Sequence, residues 1–239
     1  MATSLLARLL TTTAVAGLTF GAAQAQQKQD RPLTSDFQMV ESSGGIDVYL
    51  TQGPTAAVTV ESTADALPRV VTEVKNGTLA VHWEEGFQPW KVANRPYRAR
   101  VYVTAPRLTG VSVSGGADVH GQTTIQADDF RIQTSGGGDV FLTLQAKTLR
   151  AEASGGSDLN LSGKVERQEV SVSGGSDYHG FGLQSATASI QASGGSDADA
   201  WVEGELEASA SGGSDLRYKG KGRVTSVHSG GSSGVRHVE

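Results

Sequence analysis

The chain has 239 residues, 31 of them glycine, no cysteine and a formal net charge of −5. That length allows one or two domains, and the scattered Lys and Arg of a mildly acidic chain supply no concentrated basic face for nucleic acid. Without cysteine there is neither a disulfide framework nor a lipid-modified N-terminal cysteine.

Residues 1–25 have the layout of a secretory signal. Arg8 precedes the apolar and small-residue run 9–20, and Ala23-Gln24-Ala25 matches a small-x-small cleavage site, so the mature chain is expected to begin at Gln26. No later stretch approaches the roughly 18–20 apolar residues of a spanning helix. The expectation is an exported bacterial product, in the periplasm or on the cell surface, with no transmembrane segment after cleavage. The polar residues 26–36 predict a flexible lead-in.

From residue 37 to 113 the chain alternates in short apolar segments, MVESSGGIDVYL, AAVTVES, TLAVHW and ARVYVTAP, and Asn76-Gly77 is a hairpin signal between two of them. This part is the more aromatic. Trp83, Phe87, Trp90, Tyr97 and Tyr102 fit either packing over the open end of the sheet that follows or a carbohydrate-binding face. Burial of their large area favours the first.

From residue 114 to 239 a single pentapeptide returns. SGGSD stands at 154–158, 173–177, 193–197 and 211–215, with SGGAD at 114–118, SGGGD at 135–139, an early copy SSGGIDV at 42–48 and a last, altered copy SGGSSG at 229–234. The candidate corner residues are Gly44, Gly45 and Asp47, Gly115, Gly116 and Asp118, Gly136, Gly137 and Asp139, and Gly155, Gly156 and Asp158. They continue with Gly174, Gly175 and Asp177, Gly194, Gly195 and Asp197, and Gly212, Gly213 and Asp215. The copies recur every 18 to 21 residues, a period that suits one β-coil per repeat and is too short for helical repeats.

Apolar or small residues precede each copy at alternate positions (Val111 and Val113, Val170 and Val172), and another alternating pair follows (Val140 and Leu142, Leu159 and Leu161). Period-2 alternation puts one side of each strand in a core and the other in water. A further apolar position in each repeat, Ile125, Leu149, Val165, Leu183, Leu206 and Val224, suggests a third face. These constraints predict an all-β fold, a parallel β-helix or β-solenoid with coils about 4.8 Å apart. The two glycines mark a corner where positive φ or close approach excludes a Cβ, and the aspartate is expected to close an Asx-type turn. In the last copy Ser233 stands in the Asp position, as in an atypical terminal cap.

No catalytic residue, metal ligand set or cofactor is assigned. SGGSD leads into a strand and lacks the Lys of a phosphate loop, and one copy per 18 to 21 residues does not match the nine-residue calcium β-roll. A column of carboxylates about 4.8 Å apart costs roughly 3.5 kcal/mol per pair at an effective dielectric of 20, a cost that backbone hydrogen bonds, exposure or Ca²⁺ could offset. Aspartates in every coil suit a scaffold better than the two differently tuned carboxylates of a glycosidase. The five histidines show no zinc spacing.

SSGGIDVYLTQG at 42–53, VTVES at 58–62 and VVTEVKNGTLAVHW at 70–83, followed by the SGG(S/A/G)D series, resemble the bacterial putative auto-transporter adhesin family with a head GIN domain, from about Phe37 to the C terminus. The resemblance implies a right-handed β-helix-like fold and export, and brings no catalytic residues with it. The domain expected is therefore a head GIN-like solenoid over 37–239, less regular up to residue 113. Its expected function is that of an exported, non-enzymatic adhesin or envelope interaction protein. Glycans or envelope and surface proteins are the candidate partners, with a homo-oligomer through its flat faces or ends as a further option. The alternatives are a polysaccharide-acting enzyme on a β-helix scaffold and a Ca²⁺-binding structural module.

Overall fold

The computed structural model describes residues 26–91 and 97–239. The signal segment with its cleavage site and the side chain of Trp90 lie outside the described residues. The early strands are β1 (Gln26–Arg31), β2 (Met39–Ser42), β3 (Ile46–Gln52), β4 (Ala57–Thr63), β5 (Val70–Lys75), β6 (Thr78–Trp83), β7 (Ala99–Ala105) and β8 (Gly110–Ser114). Long strands follow, β9 (Val119–Ser135), β10 (Val140–Ser154), β11 (Leu159–Ser173), β12 (Tyr178–Ser193) and β13 (Ala198–Ser211), and then β14 (Asp215–Lys219), β15 (Arg223–Gly230) and β16 (Gly234–His237).

Each long strand is one coil, broken only at its SGGSD corner, and successive coils pair in parallel from β9 to β13. The result is a β-solenoid of about seven turns. Inward columns run along it: Val40, Val111, Ile132, Ala151, Val170, Ile190 and Ala208 before the corner, and Val48, Val119, Val140, Leu159, Tyr178, Ala198 and Leu216 after it are all buried. Stacking alone buries them, since a single coil has no second layer to cover its apolar side.

The early copy of the motif belongs to this stack. β2 pairs with β8 and β3 with β9, so the coil of Gly44 lies directly on the coil of Gly115. The 57 residues between β3 and β8, 53–109, loop outward and build the layers beyond. β6 and β7 stack in parallel on β2 and β3, and β5 and β4 then close the end in antiparallel pairing. Asn76 and Gly77 turn β5 into β6 with φ of 52° and 75°, the left-handed pair that a tight hairpin requires.

Two expectations need correction here. Residues 26–31 form no flexible lead-in: β1 pairs antiparallel along β4, and Lys28 reaches Glu61 (3.4 Å) and lies 4.4 Å from the Tyr102 ring centroid. An outermost edge strand has water on both faces, so its composition is polar throughout. The six residues assigned to one third face are buried or half-buried, yet they fall in three different columns. Ile125 and Leu183 share the column of Leu144, and Leu149, Leu206 and Val224 share another with Phe130, whereas Val165 stacks on Ala146 and Ala127.

Candidate functional site

The corner column gathers every recurring Gly and Asp of the motif into one line along the solenoid. The first glycines all have positive φ, and each Cβ would meet the coil beneath: at Gly155 (φ 95°) it would lie 2.8 Å from the Gly136 nitrogen, and at Gly212 (φ 72°) 3.0 Å from that of Gly194. Both the left-handed backbone and the stacking distance therefore exclude a side chain. Most second glycines also have positive φ; Gly156 does not.

The serine and aspartate supply acceptors where the strand ladder cannot continue around the bend. Ser157, Ser176, Ser196 and Ser214 are fully buried. Ser157 Oγ donates to its own coil at the Ser154 carbonyl (3.0 Å), and the Ser157 N–H donates to Ser176 Oγ of the next coil (3.1 Å). Each Asp N–H donates to the carboxylate one coil back: Asp139 to Asp118 (3.0 Å), Asp158 to Asp139 (2.9 Å), Asp177 to Asp158 (3.3 Å), Asp197 to Asp177 (2.8 Å) and Asp215 to Asp197 (3.1 Å). The Asp backbone carbonyl meanwhile accepts from the strand below, as Val140 N–H to Asp158 O at 2.9 Å. The carboxylates thus tie coil to coil, rather than closing Asx turns within their own coil as expected. A buried N–H with no acceptor is costly, and at the bend the serine and carboxylate oxygens supply acceptors such as those of the Ser157 and Asp158 N–H groups.

The last copy is shifted by one residue. Ser211 pairs with Gly230 and Asp215 with Gly234, so Ser233 lies in the serine column, where its Oγ accepts from the Gly213 and Ser214 N–H groups (3.1 and 3.2 Å). Gly234, not Ser233, stands at the Asp position, and the positive φ falls on Gly231. At the other end Asp47, half-buried, has its carboxyl pushed above the ordinary range by burial and by the neighbouring Asp118 charge, opposed by the hydrogen bond from the Asp118 N–H.

The aromatic residues divide between two structures. Trp83 donates from its indole to the Gly44 carbonyl (2.9 Å) and packs with Phe87, which packs with Tyr97 (centroids 5.4 and 5.7 Å), so this group covers the end of the glycine column. Tyr102 instead begins an outward ladder with Tyr49, His120 and Phe141, stacked at 5.2, 5.2 and 5.1 Å. Ring faces from Tyr102 to His120 are spent on one another and on Lys28, and Phe141 at the far end is 38% exposed, so at most one ring face is offered. A sugar-stacking platform needs free faces.

Further binding chemistry lies within the corner column and on the flat face beside it. Asp158, Asp177 and His179 hold one possible ligand atom each within 4.8 Å of one another, and both carboxylates already accept a backbone N–H. A shallow polar groove of about 480 Å³ crosses the flat face before the corner, lined by Arg150, Glu152, Arg167, Glu169, Gln191 and Glu205 among others. Its charges pair between coils, Arg131 with Glu152 (2.9 Å) and Arg150 with Glu169 (3.1 Å).

Sequence reasoning missed one buried polar network. The Tyr178 hydroxyl donates to Gln168 Oε1 (2.6 Å), Gln168 Nε2 to Ser185 Oγ (2.8 Å), and Ser185 Oγ to the Trp201 carbonyl (3.1 Å). Burial pushes the Tyr178 phenol well above its usual range, so it stays a protonated donor. The available signal was positional, since Gln168 occupies the column of Leu149 and Leu206.

Several solved structures share this fold. A putative adhesin from Bacteroides fragilis superposes with a TM-score of 0.82 at 18% identity, covering 90% of this chain and 98% of that one. One from Parabacteroides distasonis gives 0.71 at 19% identity, covering 90% and 98%. A second protein of that organism, named a putative lipid binding protein, gives 0.71 at 17%, covering 90% and 97%. No curated protein matches the chain. The family model described as putative auto-transporter adhesin, head GIN domain, matches residues 36–222, and the chain belongs to that family.

Proposed function

We propose that the protein is an exported, non-catalytic interaction module that engages an envelope or surface polymer, most naturally a glycan, along the flat face before the corner. The observation that carries this reading is the repeated outward polar surface there. Ser112, Gln133, Glu152, Ser171, Gln191 and Ser209 form one column, with the mixed column Arg131, Arg150, Glu169, Ser189 and Glu207 beside it. Such a face offers regularly spaced hydroxyl, amide and charged groups to a chain-like ligand lying along the axis. Commitment of the corner aspartates to backbone N–H groups supports a scaffold role for them and leaves no pair set apart as acid and base.

The test is a glycan array probed with the mature protein, in parallel with the variant Arg150→Glu/Arg167→Glu and with a hydrolysis assay on cell-wall polysaccharides. Binding that the double variant loses, without turnover, is expected. Turnover abolished by replacing one particular Asp, with its counterparts in other coils silent, would establish the enzyme alternative instead. Export is checked separately, by an envelope fraction in which the protein starts at Gln26.

A further inference from the structure

The two ends of the solenoid are finished differently. The N-terminal end is closed by antiparallel β4 and β5 and then by β1. At the other end β15 pairs only with β13, and β16 only with β14, among the described residues. One side of this last layer therefore presents free backbone N–H and C=O groups. Val227 is 51% exposed, although it lies in the column of Val170, Ile190 and Ala208, which are buried by the coil that follows each of them. Among the described residues no coil covers this apolar position.

The charge of this end indicates what fits it. The last 24 residues carry Arg217, Lys219, Lys221, Arg223 and Arg236 against Glu239 alone, so a chain of formal net charge −5 is +4 here and −9 over the rest. The terminal cations are served from below only. Arg223 meets Glu205 (3.1 Å) and Arg236 meets Asp215 (3.2 Å), each one coil back. Inside the solenoid a cation in the same situation has acids on both sides: Arg150 lies 3.8 Å from Asp129 of the preceding coil and 3.1 Å from Glu169 of the next. Arg223 has the first of these partners and lacks the second.

We propose that the open end is a docking edge for an extended acidic strand of another protein, which adds to β15 by main-chain hydrogen bonds, covers Val227 with an apolar residue and sets a carboxylate over Arg223. Strand addition is the recognition mode that a free sheet edge supports. A second copy of this chain fits less well. Tail-to-tail contact sets +4 against +4, and the β1 edge of a head-to-tail neighbour, QQKQDR, has no net negative charge. Cations at an edge can also act purely as a guard against pairing, and that role predicts the opposite outcome below.

The probe is a labelled eight-residue peptide of alternating valine and glutamate, matched to the length of β15, with a lysine-for-glutamate peptide as control. Fluorescence anisotropy with the mature protein is expected to show saturable binding of the glutamate peptide alone. Arg223→Glu should weaken it about tenfold, as loss of an interfacial charge pair does, and Lys75→Glu at the capped end should leave it unchanged. Arg223 is exposed, so circular dichroism of Arg223→Glu should match the parent. No saturable binding, equal binding of both peptides, or indifference to Arg223→Glu would overturn the proposal. So would sedimentation showing self-association of Arg223→Glu with no peptide binding by the parent, which is the signature of a guarded edge.

Discussion

From β9 to β12 the ladders before the corner run without a slip, from Asp129, Thr148, Arg167 and Thr187 to Ser135, Ser154, Ser173 and Ser193, whereas the last coil, β15, slips there against Leu206 and Glu207. After the corner the ladders slip between Phe141 and Thr143, between Asn160 and Ser162, and from Gly180 to Gln184. Among β9 to β13 the variation in length is placed there: they have 17, 15, 15, 16 and 14 residues, and the extra ones form bulges after the corner. The difference teaches where register is set. Side chains repeated at the bend, not the strands themselves, fix each coil on the last, and the far half absorbs insertions.

The sharpest way to break that comparison is at a first glycine. Gly155→Ala forces a left-handed residue and a Cβ 2.8 Å from the Gly136 nitrogen, and is expected to cost about 2–4 kcal/mol in denaturant unfolding. Gly156→Ala, next to it, has negative or extended φ and no atom within 4 Å of the added Cβ, so it should change stability by less than about 0.5 kcal/mol. Equal losses at the two positions would show that the column does not set register.

Tyr178 tests the other half of the coil. Tyr178→Phe leaves Gln168 Oε1 buried without its donor and should cost about 1–3 kcal/mol. Replacing Gln168 by Leu in the same chain should recover part of that loss, because both ends of the bond are then apolar; a double-mutant cycle measures the coupling. Additive losses would mean that the network does not act as a unit.

These two sites also mark what a linear chain reveals. The column of Gly155 was legible because its glycines recur with one spacing and alternate apolar residues flank them. Gln168 was not read, although it stands six residues before Gly174 just as Leu149 stands before Gly155; what a linear chain hides is its partners, Tyr178 and Ser185, which lie in other columns. Ile125, Leu149 and Val165 stand 11, 6 and 9 residues before the next first glycine, so they belong to separate columns. At residue 233 the missing aspartate removed the anchor for alignment, and φ at Gly231 shows the true phase. β1 was hidden for a different reason: its pairing to β4 satisfies backbone groups while nothing apolar is buried.

A smaller effect is expected at the aspartates. Asp158→Ala leaves the Asp177 N–H without its acceptor and should cost about 1 kcal/mol, whereas Asp158→Asn keeps an oxygen there and should stay within about 0.5 kcal/mol. Asp139 and Asp177 should behave alike, because each serves the same N–H one coil on. A single outlier among them would reveal a position selected for something besides stacking.

The smallest expected effect separates Asp47, at the start of the column, by its pH dependence. Its folded-state carboxyl lies above the ordinary range, chiefly because it is half-buried. Folding thus favours the protonated form, so its contribution to stability is fully present below the unfolded-state value and is lost as pH rises through the folded-state one. Asp47→Asn keeps the acceptor for the Asp118 N–H and removes the titration. The melting temperature of the variant should exceed that of the parent at neutral pH, and the gap should close as pH falls to roughly 3. A constant gap across that range would mean that burial of the Asp47 charge carries no cost, and the first corner would then be held no differently from those above it.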